Sequence, residues 1–130
     1  MIQTDKEKLD RSAAILKELK IARGGKLMDS HRVMGNDPNL ANMFLQQYVN
    51  NKADTNIPVK YRELIVMAIG AATATETTMK VHARIAMENG ATIDEIFEVF
   101  RIIFFTCGVT KLLPMLETLG EFFEPVEEAE

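Results

Sequence analysis

No stretch of this chain alternates apolar and polar residues with period two for long enough to make a strand, while helix starts and stops recur from end to end. A first helix, from about Lys6 to Arg23, puts Leu9, Ala13, Leu16 and Lys20 on one side with Ile15 and Leu19 beside them. It stops at Gly24-Gly25, the residue type that accepts the left-handed conformation after a helix. One or two helical turns are expected between Lys26 and Met34. Gly35-Asn36 then reads as a turn; Asp37 can cap, and Pro38 suits the first position of a helix running to about Asn50, lined by Leu40, Phe44 and Tyr48. The polar segment from Asn51 to Asn56 breaks the pattern and reads as a loop.

Pro58 opens the next helix, where Tyr61, Leu64, Ile65, Ala68, Ile69 and Ala72 keep helical spacing. Val66, Met67 and Ala71 make the opposite side apolar too, which predicts a helix buried all round. A further helix spans about Thr75 to Asn89 and ends at Gly90. Thr92-Ile93-Asp94-Glu95 is a capping box: the Thr92 hydroxyl can accept from the Glu95 amide while the Glu95 carboxylate reaches back to the Thr92 amide. The helix it starts carries Ile96, Phe97, Val99, Phe100, Ile102, Ile103, Phe104 and Phe105, and Gly108 ends it. A last helix, about Thr110 to Phe123, contains Pro114, tolerable near the first turn and kinking deeper in. The acidic tail PVEEAE should fray. The pattern predicts an all-α bundle of six to seven helices, and a length of 130 residues suits a single domain over 1–130.

Composition narrows the function classes. Apolar residues at 47% and charged residues at 26% exclude wholesale disorder. A net charge of −4, with no Trp and two Tyr, supplies neither phosphate attraction nor stacking platforms, so nucleic acid is not an expected partner. The apolar uncharged run from Leu64 to Thr75 has twelve residues where a membrane span needs roughly 20. Cys107 is the only cysteine, so no intrachain disulfide can form and a cysteine-based zinc site lacks ligands. With a charged N-terminus unlike a signal peptide, these features predict a soluble, cytoplasmic chain without metal or cofactor.

Few residues are placed for chemistry. Thr75, Thr78 and His82 share one helical face by spacings of three and four, with Met79 and Ala86 flanking it. His82 reads equally as a core histidine bonded to a neighbour, and the threonines as capping or surface residues. Glu63 is the last charge before the uncharged run; it is either a surface carboxylate at a helix start or one entering apolar surroundings, where it needs a partner.

Tyr61-Arg62-Glu63-Leu64 opening an apolar helix, then His82 through Ala86 to Gly90-Ala91-Thr92 with Asp94-Glu95-Ile96, and later Gly108 and Pro114, form an ordered set. With it, the stretch from Pro58 to Leu119 resembles the carboxymuconolactone decarboxylase family, which includes the AhpD-type alkylhydroperoxidases. The resemblance implies an all-α fold assembled as a homo-oligomer, trimer or hexamer. It also implies a proton relay through Glu63 and His82. The redox branch places a Cys-x-x-Cys pair four residues before the histidine, and here those positions are Thr75 and Thr78. Threonine cannot replace a thiolate and a resolving thiol. The decarboxylase branch lacks the pair and keeps the histidine, but carries Trp-Gly and Arg-Pro-Gly-type segments where this chain reads NNKADTNIPVKYREL. His31 matches nothing in the family and is expected to be solvated.

Three readings follow. A non-redox acid/base enzyme, decarboxylase or lactone-isomerising, would use His82 to move the proton, Glu63 to hold its tautomer, and Thr75 and Thr78 to bind a small organic substrate. An AhpD-like peroxidase is the second, and a non-catalytic binding or structural protein on the same scaffold is the third. Cys107, after Phe104 and Phe105, is expected to be buried and inert. Counted from a turn at Thr75, Glu63 and His82 stand ~18 Å and ~10 Å along ideal helices, a mismatch of ~8 Å that the family resemblance overrides.

Overall fold

In the computed structural model, which describes residues 1–130, the chain forms seven α-helices and a closing 3₁₀ turn, with no strand. Two compact units share these elements, Met1–Thr55 and Asn56–Glu130.

The first unit holds α1 (Lys6–Ala22), α2 (Asp29–Met34) and α3 (Pro38–Asn51). Asp5 caps α1 by accepting from the Lys8 amide at 3.1 Å, and Asp37 caps α3 by accepting from the Asn39 amide at 3.0 Å. Leu19, Ala41 and Leu45 are buried between the helices. Gly35, just past α2, is tight against α1: a Cβ there would lie 2.8 Å from Leu16 Cδ1. The solvated place expected for His31 is wrong. Its side chain is buried, its ring centroid 5.2 Å from that of Phe44, and its Nδ1 accepts the Met28 N–H at 2.9 Å. The partners that draw it in are a backbone amide and a ring on α3, which charge patterning cannot reveal.

The second unit holds α4 (Val59–Ala72), α5 (Glu76–Glu88), α6 (Ile93–Cys107), α7 (Val109–Leu119) and the 3₁₀ turn Gly120–Phe122. Its core gathers Leu64, Met67 and Ala71 of α4, Met79, Ala83 and Ala86 of α5, Ile96, Phe100 and Ile103 of α6, and Met115 and Leu119 of α7. The capping box forms as expected, with Glu95 N–H donating to Thr92 Oγ1 at 3.1 Å and Thr92 N–H to Glu95 Oε2 at 2.9 Å. The other oxygen, Glu95 Oε1, accepts from Lys60 Nζ at 2.9 Å, so the start of α6 is tied to the start of α4. The Thr92 amide, and then the Lys60 ammonium, hold the Glu95 carboxyl below the usual carboxylate range.

Two expectations fail here. α4 is not buried all round within the chain: Tyr61, Ile65 and Ile69 are exposed, and only Leu64, Met67, Gly70 and Ala71 are buried. Cys107 is exposed rather than buried, as are Phe104 and Phe105 before it. Apolar character on every side of a helix says nothing about which side its own chain covers.

Three helices end with the same paired bonds. After α1, the Gly25 amide reaches the Lys20 carbonyl at 2.8 Å and the Gly24 amide the Ile21 carbonyl at 3.1 Å; after α5, Ala91 reaches Ala86 and Gly90 reaches Met87. After α4, Thr75 reaches Gly70 at 2.8 Å and Ala74 reaches Ala71 at 3.3 Å. The residue that must turn left-handed is Gly24 or Gly90 in two cases, but Ala74, at φ 57°, in the third. A Cβ in that conformation costs roughly 1–2 kcal/mol, and the strained position lies in the turn that sets α5 against α4.

Candidate functional site

Glu63, Met67 and Gly70 follow one another on α4 at spacings of four and three, so they share the stripe that faces α5. On α5 the matching stripe is Thr75, Thr78 or Met79, His82 or Ala83, and Ala86. Gly70 lets the two backbones close up: a Cβ there would lie 3.0 Å from both the Met79 amide nitrogen and Thr78 Cγ2. Sequence reasoning assigned Gly70 no role, although an isolated glycine inside a helical pattern is itself a signal of close approach.

The close packing brings Glu63 and His82 together, with Glu63 Oε2 in direct hydrogen-bond contact with His82 Nδ1. Ideal hairpin counting misplaced them because it assigned the turn to the first helix. α4 ends at Ala72 and α5 begins at Glu76, so Glu63 lies nine residues from its helix end and His82 six from its start. The offset is then ~4.5 Å, less than one helical turn and within reach of the two side chains. Both are mostly shielded, the Glu63 side chain at 16% exposure and His82 at 29%. An ionised carboxylate only accepts, so Nδ1 carries the hydrogen and the lone pair of the neutral ring is on Nε2. This arrangement can hold an imidazole in one tautomer and steady the imidazolium that forms when Nε2 takes a proton.

Thr75 and Thr78 do not join that pair. Thr75 is the N-cap residue of α5 without a side-chain cap bond; it is exposed, and its hydroxyl is 3.1 Å from that of Thr73, which donates to the Ile69 carbonyl at 2.8 Å. Thr78 is half-buried one turn before His82, its methyl toward Gly70. Cys107 stands at the far end of α6 with its Sγ 3.5 Å from Thr106 Oγ1. A cleft of about 220 Å³ lies between α5 and α7, lined by Glu76, Lys80, Pro114, Glu117 and Thr118. Nowhere do three histidine, cysteine or carboxylate side chains converge as metal ligands do.

No curated protein and no solved structure matches this chain. The profile of the carboxymuconolactone decarboxylase family matches residues 38–119, which takes in α3 as well as the four helices that follow. With most of the chain covered, an all-α architecture and the glutamate and histidine of α4 and α5 in contact, the chain belongs to the carboxymuconolactone decarboxylase family.

Proposed function

We propose that this protein is a non-redox acid/base catalyst acting on a small organic substrate, with His82 as the proton carrier and Glu63 as the residue that orients it. The contact between Glu63 Oε2 and His82 Nδ1 carries the reading, because it leaves Nε2 as the basic atom of a neutral ring. In a lactone isomerisation Nε2 takes a proton from the carbon beside the carbonyl and returns it to another carbon of the same molecule. In a decarboxylation Nε2 first takes the proton of the substrate's carboxylic acid, and the imidazolium then delivers it to the carbon whose electron pair the departing carbon dioxide leaves behind. Thr78, one turn earlier on the same helix, and Thr75 beyond it would offer hydroxyls to the substrate's polar end. A thiol cycle has less support, since the chain holds a single sulfhydryl and the Cys-x-x-Cys cycle of the AhpD type needs a second one to resolve the first. The same unpaired, exposed thiol favours a cytoplasmic setting.

A panel of small lactones and β-keto acids, followed by proton exchange or carbon dioxide release, tests the reading. Turnover should fall by ~10²–10⁴ in His82→Asn; turnover unchanged in that variant overturns it. Self-association belongs to the same proposal. Tyr61, Ile65 and Ile69 on α4, and Phe104 and Phe105 on α6, leave more apolar surface exposed than a monomer ordinarily tolerates, so a trimer or hexamer is expected. Light scattering that returns a 14.6 kDa particle at micromolar concentration refutes it.

A further inference from the structure

His31 has no part in the site on α4 and α5, yet it is 2% exposed and its Nδ1 is hydrogen-bonded. Met28, the residue before α2, has no side-chain oxygen with which to cap that helix, and no side-chain cap bond is made there. Instead His31, three residues on, turns its Nδ1 back to accept the Met28 N–H at 2.9 Å. A helix of six residues has little to hold it apart from its ends and its packing. This end therefore depends on a lone pair at Nδ1. A protonated imidazole has two N–H donors and no acceptor, so it would oppose the Met28 amide rather than receive it.

The surroundings give the cation nothing in return. Arg23, the C-cap of α1, and Arg32, one residue along α2, both place positive charge near the ring. Asp29 on α2 is the nearest carboxylate of that helix in sequence, and it is engaged by Arg32 Nη1 at 2.9 Å. From α3 comes the Phe44 ring; that helix has no charged residue, and its one titratable group, Tyr48, stacks on the far neighbour Phe44 and binds Lys52 Nζ at 2.6 Å.

We propose that the first unit carries an acid-released latch, in which neutral His31 holds α2 closed through Nδ1 and protonation of the ring opens that helix. Opening would lift Gly35 from Leu16 and His31 from Phe44, uncovering apolar surface on α1 and α3. Burial, and after it Arg23 and Arg32, push the imidazole below its ordinary range. A free histidine titrates near ~6.5, so the open segment takes up its proton first as the pH falls. The latch is fully closed above about pH 6.5 and loses stabilisation from there down through the lowered value of the closed state.

The test uses the intact chain, with NMR between pH 8 and 4.5. The His31 ring and the Met28 amide should titrate together, below the usual histidine range. Met28 exchange, corrected for its intrinsic pH dependence, should speed up about tenfold as the bond is lost. In His31→Asn, whose Oδ1 can accept at every pH, the Met28 amide should stay flat, while His82→Asn should leave the wild-type transition in place. If His31→Asn does not fold, the wild-type titration decides alone. A Met28 amide that keeps its protection while His31 titrates, or a His31 that titrates at or above the ordinary value, overturns the latch.

Discussion

His31 and His82 are the two histidines of the chain, one in each unit, and each is tied through Nδ1. The resemblance ends there. His31 faces a backbone N–H, so its Nδ1 must accept, and its neighbours are two guanidinium groups and a phenyl ring. His82 faces a carboxylate, so its Nδ1 must donate, and Nε2 is left with the lone pair. The first arrangement punishes a positive ring and the second supports one. A ring with the same intrinsic chemistry becomes a structural acceptor in one unit and, in the proposed function, a proton carrier in the other, and the partner on one nitrogen decides between them.

Replacing each histidine should therefore have different consequences. His82→Asn should abolish most turnover, by ~10²–10⁴, while His31→Asn should leave turnover within about twofold. Glu63→Gln should come next, with a loss between about 10-fold and 10⁴-fold at an intact fold, because a carboxamide can present an N–H to Nδ1 and favour the other tautomer. Equal losses from the two histidine variants would erase the distinction between the units. Glycines make a second pairing. A Cβ at Gly70 would meet the Met79 backbone nitrogen of the next helix at 3.0 Å, whereas one at Gly35 would meet Leu16 Cδ1 at 2.8 Å and the Arg32 carbonyl of its own preceding turn at 3.0 Å. Both Gly70→Ala and Gly35→Ala should destabilise the chain by about 1–3 kcal/mol in denaturant titrations, but only Gly70→Ala should also reduce turnover, by shifting His82 from Glu63. The smallest effect concerns the helix ends. Ala74→Gly should raise stability by ~1 kcal/mol, and Gly24→Ala in the first unit should lower it by about as much. A neutral Ala74→Gly would mean that the turn after α4 carries no strain.

The helices were legible wherever their ends are made by local chemistry. Asp5 was missed as a cap, but Asp37, Pro38, Thr92 with Glu95, and the glycines after α1 and α5 each signal a boundary within a few residues of sequence. The pairing of Glu63 with His82 was legible only through resemblance, since counting along ideal helices placed them apart; the glycine that lets them meet stood in plain view as Gly70. What could not be read is whatever depends on a distant surface. His31 gives no sign of burial because its ring partner, Phe44, lies thirteen residues on. The exposed sides of α4 and α6 give none of their exposure, because Ile65 and Phe105 look the same to a hydrophobicity pattern as Leu64 and Phe100.

The accessibility of Cys107 gives the molecule a built-in reporter. Because it is the chain's only sulfhydryl, a maleimide dye attaches at one known address, the last residue of α6, without prior mutagenesis. Its neighbours Phe104 and Phe105 belong to the exposed apolar surface proposed for self-association. Alkylation of a free chain should then run at the speed of an ordinary open thiol. Alkylation that slows as protein concentration rises would time the covering of this end of α6 by another copy.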